Sequence, residues 1–121
     1  MADDGTAGDD KKKRKKRQHL LDQLYAVIVS RRDADPEKSH TAALLARGTD
    51  KICEKIGEEA TELVIEGAHG RRDGVISESA DLVYHMLVLW ADQGVDPREV
   101  WEALEDRRGL SGIEEKAKRN S

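Results

Sequence analysis

The sequence predicts an all-α protein: a compact helical bundle of about five helices, completed by oligomerisation. Three observations predict that class. From His19 onward, apolar residues recur at three- and four-residue spacing, which is the stripe of an amphipathic helix. No segment sustains two-residue alternation, and with no phenylalanine and little threonine the chain lacks residues that strands favour. Asp-Pro pairs and glycines divide the remainder into short helical lengths.

The first helix carries Leu20, Leu21, Leu24, Val27 and Ile28 on one face and ends near Arg31–Asp33. Asp35-Pro36-Glu37 then reads as a helix start, because aspartate accepts a free backbone N–H and proline suits the first turn. That short helix runs to about Arg47 and stops at Gly48. Thr49 is expected to cap a long third helix through about Ala68. The stretch from His69 to Gly74 reads as a tight connection with two glycines. A fourth helix is expected from near Val75 to Gln93, stopped by Gly94. Asp96 and Glu99 form a potential capping box for a fifth, reaching about Arg107. Ser111-Gly112-Ile113-Glu114 can start a last short helix.

At 121 residues the chain has room for one domain and a modest core. Hydrophobic residues make up 37% and charged residues 38%, so the apolar set must be concentrated on a few faces. No stretch approaches the roughly 20 apolar residues of a membrane span. No apolar segment follows the N-terminal charges, so no secretory signal is expected. The only cysteine, Cys53, can form neither an internal disulfide nor a cysteine zinc cluster, and a reducing cytoplasm is the expected compartment.

The formal charge of −4 divides unevenly. Residues 1–17 hold seven Lys/Arg, all within Lys11–Arg17, and four Asp. Taking these from 21 basic and 25 acidic residues leaves 14 and 21, a net −7 for residues 18–121. The expected organisation is a disordered charged tail over 1–17 and a helical domain over 18–121. So acidic a body is a poor general nucleic-acid binder, and no nucleic-acid or membrane partner is expected.

On the third helix Lys55, Glu58, Glu59, Glu62 and Glu66 share one stripe, beside an apolar stripe of Ile52, Ile56, Ala60, Leu63 and Gly67. Taken alone, that stripe reads as a solvated acidic face. The fourth helix changes the reading. Val75, Ile76, Leu82, Val83, Tyr84, Met86, Leu87, Val88, Leu89 and Trp90 surround it almost completely, the pattern of a buried helix. Yet Glu78, Asp81 and His85 share one stripe of it. Buried carboxylates need cations nearby, and the facing helix offers mainly more carboxylates.

A short connection makes the two helices a hairpin, so the acidic stripes can meet. Four gathered acids repel unless a divalent metal or raised pKa values neutralise them. All-oxygen ligation by Glu59, Glu62, Glu78 and Asp81 suits Mg²⁺, or Mn²⁺, rather than zinc. A structural salt-bridge network is the competing reading. An open metal position would take phosphate oxygens and an attacking water, which Glu58 or Glu62 can orient or deprotonate. His85 is expected behind the ligands, hydrogen-bonded to Asp81 one turn back.

Glu58-Glu59-Ala60-Thr61-Glu62 followed by Glu78-Ser79-Ala80-Asp81 is an ExxE…ExxD arrangement. It resembles the helical MazG-type nucleotide pyrophosphohydrolases, in which the four acids bind Mg²⁺. The flanking segments narrow the resemblance. Lys51 to Glu62, then Ala80-Asp81-Leu82-Val83-Tyr84-His85, are similar to the phosphoribosyl-ATP pyrophosphohydrolase family. So are Ser39-His40-Thr41 with Leu44 and Gly48, and the ending from Arg107 to Ala117. His40 stands where that family more often has tyrosine, and the basic run at 11–17 lies outside its pattern.

The resemblance spans about Leu20 to Arg119. It implies hydrolysis of phosphoribosyl-ATP to phosphoribosyl-AMP and pyrophosphate, the second step of histidine biosynthesis, by a homodimer or larger homo-oligomer. Candidate substrate-binding residues are then Ser39, Thr41, Lys51, Lys55, Arg107 and Lys116, with Arg119 beyond them. The Ser111-Gly112 helix start can offer backbone N–H groups to an anion. Two other functions fit parts of the pattern: a housekeeping nucleoside triphosphate pyrophosphohydrolase, and a non-enzymatic helical assembly module.

Overall fold

The computed structural model describes residues 20–108. The tail over 1–17 and the helix expected from Ser111 lie outside them. Five helices make up the described fold: α1 (20–30), α2 (His40–Arg47), α3 (Thr49–Ala68), α4 (Arg72–Gln93) and α5 (Pro97–Arg107). The described residues contain no strand.

The principal packing is of α3 against α4, a hairpin over which α2 lies in contact with both. Its connection is tighter than the sequence suggested. Gly70, at φ 66°, closes α3: its N–H reaches the Gly67 carbonyl at 3.1 Å, and the Arg71 N–H reaches that of Glu66 at 3.0 Å. Those two bonds use orphan carbonyls of the helix end and turn the chain at once. So α4 begins at Arg72, three residues before the expected Val75.

Two other starts also differ. Asp35 does cap a turn, its Oδ1 accepting from the Glu37 N–H at 3.0 Å, but the turn does not propagate. Ser39, in extended backbone, restarts the chain by accepting from the Ala42 N–H at 3.1 Å, so α2 begins at His40. Thr49 is inside α3 rather than its cap. Gly48 precedes the helix, and the Thr49 hydroxyl instead donates to Asp92 at 2.6 Å, tying the start of α3 to the end of α4. The fifth helix follows expectation: Asp96 accepts from Arg98 N–H, and Glu99 reaches back to the Asp96 N–H at 2.9 Å.

The core gathers Ile28 of α1, Leu44 of α2, Ile52 of α3, and Leu87, Val88 and Ala91 of α4. Each large aliphatic side chain fully removed from water contributes about 1.5–3 kcal/mol. Tyr25 anchors α1 by donating to the Val95 carbonyl at 2.8 Å, and Arg32 donates to the Ala91 carbonyl. Trp101 of α5 meets Trp90 edge to face, ring centres 5.8 Å apart.

The apolar girth of α4 is therefore covered unevenly within the chain. Toward its C-terminal end Leu87, Val88 and Ala91 are buried, whereas Ile76 remains 53% exposed and Val83 40%. Across the hairpin, Val64 is 68% exposed. The expectation of a helix buried on all sides is not met among the described residues, where no element lies over this end.

Candidate metal centre

The hairpin brings together acids that lie far apart in sequence. Glu59 from α3 and Glu78 and Asp81 from α4 each offer an oxygen, and these atoms all lie within 4.8 Å of one another. Spacing explains the meeting. Glu78 and Asp81 are one turn apart on α4, and Glu59 faces them from the half-buried border of α3.

Oε2 of Glu59 and Oε2 of Glu78 are closed off from solvent and accept no hydrogen bond. Two ionised carboxylates have no proton to share, so each leaves the other unsatisfied. A proton on Glu78 would be shared with Glu59, and this raises the Glu78 pKa. The hydrogen bond with Glu59 is the largest cause. That with Glu62 opposes it, and burial and the charges of Glu59 and Asp81 add to it. Glu62, on the exposed side, is also raised: first by its hydrogen bond with Glu78, then by that residue's charge, then by burial, with Glu58 and Asp81 contributing.

Orphaned buried oxygens, clustered and anionic, are what a divalent cation satisfies. The residues present fit one. Glu59, Glu78 and Asp81 can hold it, with Glu62 against Glu78 at the rim. Glu58 lies 3.6 Å from Lys55 Nζ in a partly exposed pair, and its charge reaches Glu62.

His85 is buried as expected, but its partner differs. Nδ1 donates to the main-chain carbonyl of Asp81 at 2.8 Å, not to its carboxylate, because the i−4 carbonyl lies within reach one turn back. Nε2 is buried with no partner. Its ring stands edge-on to Tyr84 and, 6.3 Å away, to His40.

The remaining predicted residues divide. Ser39 is engaged as the cap of α2, and Thr41 is buried with its hydroxyl bonded to Tyr84, so both serve the fold in this structure. Lys51 and Lys55 are brought together, lining a cavity of about 250 Å³ with His40, Ala43, Leu44 and Arg47. Arg107 ends α5. Ser111, Gly112, Lys116 and Arg119 lie outside the described residues. Two residues missed from sequence are Tyr84, which holds Thr41, and Arg47, which faces the lysines. The second was legible: His40, Ala43, Leu44 and Arg47 are spaced i, i+3, i+4 and i+7, one face of α2.

A helical hairpin that gathers carboxylates, two of them with a buried unpaired oxygen, defines a class: all-α proteins with an acidic cluster that could hold a metal ion. Comparison with known sequences narrows it. The family model described as phosphoribosyl-ATP pyrophosphohydrolase matches residues 21–108. A phosphoribosyl-ATP pyrophosphatase of Azospirillum brasilense is 56% identical over 102 residues, covering 84% of this chain and 92% of the relative. One from Trichlorobacter lovleyi is 54% identical over 102 residues, covering 84% and 94%. One from Paramagnetospirillum magneticum is 53% identical over 100 residues, covering 83% and 92%. The chain belongs to the phosphoribosyl-ATP pyrophosphohydrolase family.

Proposed function

We propose that the protein hydrolyses phosphoribosyl-ATP to phosphoribosyl-AMP and pyrophosphate, the second step of histidine biosynthesis. Family membership supports the substrate. The observation that carries the chemistry is the pair of unsatisfied carboxylate oxygens on Glu59 and Glu78, with Asp81 beside them. These three residues would hold Mg²⁺, with Mn²⁺ as an alternative of similar ligand preference. When bound, such an ion offsets phosphate charge and lowers the pKa of water at the site.

The protein's own residues supply the rest. Glu62, on the solvent side of Glu78, orients the attacking water or accepts its proton as the bond between the α and β phosphates breaks. Glu58 is turned toward Lys55 and serves that cation's position rather than the water. The His85 hydrogen bond to the Asp81 carbonyl fixes the ring and the α4 turn that carries Asp81.

The exposed Val64, Ile76 and Val83 support self-association into a homodimer or larger assembly. A lone exposed Cys53 is consistent with a reducing cytoplasm, and among the described residues no helix is long and apolar enough to cross a membrane.

The test is pyrophosphate release by purified protein from phosphoribosyl-ATP and from ordinary nucleoside triphosphates, with Mg²⁺ and with chelator. Release that needs the metal and favours phosphoribosyl-ATP is expected. Preference for common triphosphates would overturn the substrate, and release indifferent to chelation would overturn the chemistry.

A further inference from the structure

Beside the acids lies a cavity with the opposite chemistry. α2 contributes His40, Ala43, Leu44 and Arg47 from one face, and α3 contributes Lys51 and Lys55, one turn apart. Four of these six residues are basic and none is acidic. In a domain whose acids outnumber its bases, such segregation calls for a cause.

The cations are not held by the fold. Arg47 is exposed, and no ion pair or hydrogen bond engages its side chain among the described residues. Lys51 reaches Glu54 only at 3.5 Å and Lys55 reaches Glu58 at 3.6 Å, both partners being at least half exposed. Exposed pairs of this kind contribute little and exchange readily for a stronger anion. A phosphate offers that anion, with charge-assisted hydrogen bonds to each cation.

The cavity is also joined to the acids. Lys55 precedes Glu59 by one helical turn, and His40 on its wall meets the ring of His85, which is bonded to Asp81. One turn of α3 rises about 5.4 Å, so neighbouring parts of one small ligand can occupy both places. Building on the reading of the acids given above, we infer that the α2–α3 groove is a phosphate subsite. Arg47, Lys51 and Lys55 hold one phosphate group of the nucleotide while the anhydride being cleaved lies at the carboxylate cluster, whose bound cation would offset its charge. Phosphoribosyl-ATP carries two groups of that chemistry: the far end of its triphosphate, which leaves as pyrophosphate, and the monoester on its second ribose.

Steady-state kinetics on the full-length protein with Mg²⁺ test the assignment through Arg47→Gln and Lys51→Gln, substitutions at helix-surface positions. Each should raise KM for phosphoribosyl-ATP about 10- to 100-fold, the scale of one charge-assisted hydrogen bond, with kcat little changed. The same rise with ATP assigns the groove to the triphosphate. A rise with phosphoribosyl-ATP alone assigns it to the second ribose. KM unchanged within about twofold for both variants and both substrates overturns the subsite. Should the wild type release no pyrophosphate at all, the proposed reaction fails, and the groove is judged by calorimetry in metal-free buffer. There, inorganic phosphate or pyrophosphate binding that weakens in Lys51→Gln upholds it, and no binding by the wild type refutes it.

Discussion

Replacing Glu78 with glutamine separates the two forces that meet at the acids. In the metal-free protein Glu78 and Glu62 both have raised pKa values, because each ionises beside other carboxylates. The folded state therefore binds more protons than the unfolded chain from 4.5 up to the raised folded values. Across that window stability must fall as pH rises, and it stays reduced at neutrality. Glu78→Gln keeps the shape and removes the central charge, so the metal-free variant should melt above the metal-free wild type at neutral pH and show a flatter profile from 4.5 upward. With Mg²⁺ the order reverses. A ligand that binds only the folded state at a hundredfold its Kd stabilises by about 2.7 kcal/mol. For a domain of this size each kcal/mol moves Tm by about 4–8 °C, so the wild type should gain about 10–20 °C. The variant, with one of the three converging carboxylates of Glu59, Glu78 and Asp81 lost, should gain far less and release no pyrophosphate. Calorimetric melts with Mg²⁺ or chelator, at neutral and acidic pH, read all of this. A metal-free Glu78→Gln that melts below wild type, or one that gains as much from Mg²⁺, would refute the reasoning.

Four further outcomes follow from the fold. Leu87, fully buried where α1, α2 and α3 converge on α4, should cost about 2–5 kcal/mol as Leu87→Ala in urea unfolding. Gly94 ends α4 at φ 69°, so Gly94→Ala should destabilise by about 1–2 kcal/mol. Gly57→Ala, in the open interior of α3, should stabilise by about 0.5–1 kcal/mol, and the two melts should move in opposite directions. Asp96→Ala should fray α5 and lower helical circular dichroism at neutral pH. The Asp96 pKa is lowered, chiefly by the hydrogen bond from the Arg98 backbone N–H. Its contribution is thus present above 3.8 and lost as pH falls through the folded value, where wild type and variant should converge.

How much of this was legible depends on the range of the interaction. Asp96-Pro97-Arg98-Glu99 and Asp35-Pro36-Glu37-Lys38 look like the same helix start. Only the first is one, because Glu99 can accept from the Asp96 N–H whereas Lys38 offers no acceptor to Asp35. That distinction was present in the sequence. The convergence of Glu59, Glu78 and Asp81 was legible too, since a short connection and two helical registers fix it. The bond between Thr41 and Tyr84 was not: it depends on how α2 crosses α4, which no local pattern specifies. Nor was the choice of His85 for a carbonyl over a carboxylate, a matter of one side-chain torsion.

The reason the acids need a cation also changes once the structure is known. From sequence, Glu78 and Asp81 are the costly pair, because their helix looks buried all round. In the fold Asp81 is exposed, and the costly pair is Glu59 with Glu78, one from each arm of the hairpin. Burial alone does not set that cost, since both side chains are only half-buried. Proximity does: the two carboxylates lie together with their inner oxygens closed off from water, and neither offers the other a proton. A basic side chain could have answered, yet those nearby turn elsewhere. Lys55 turns to Glu58, and Arg71 bonds Glu66 at 2.7 Å. Further cations, Arg47 and Lys51, line the α2–α3 groove rather than pairing with these acids. A chain that separates its acids and bases this way within adjoining turns leaves both sets to be satisfied from outside, by a divalent ion on one side and an anion on the other. A metal-chelated polyphosphate carries both in one ligand.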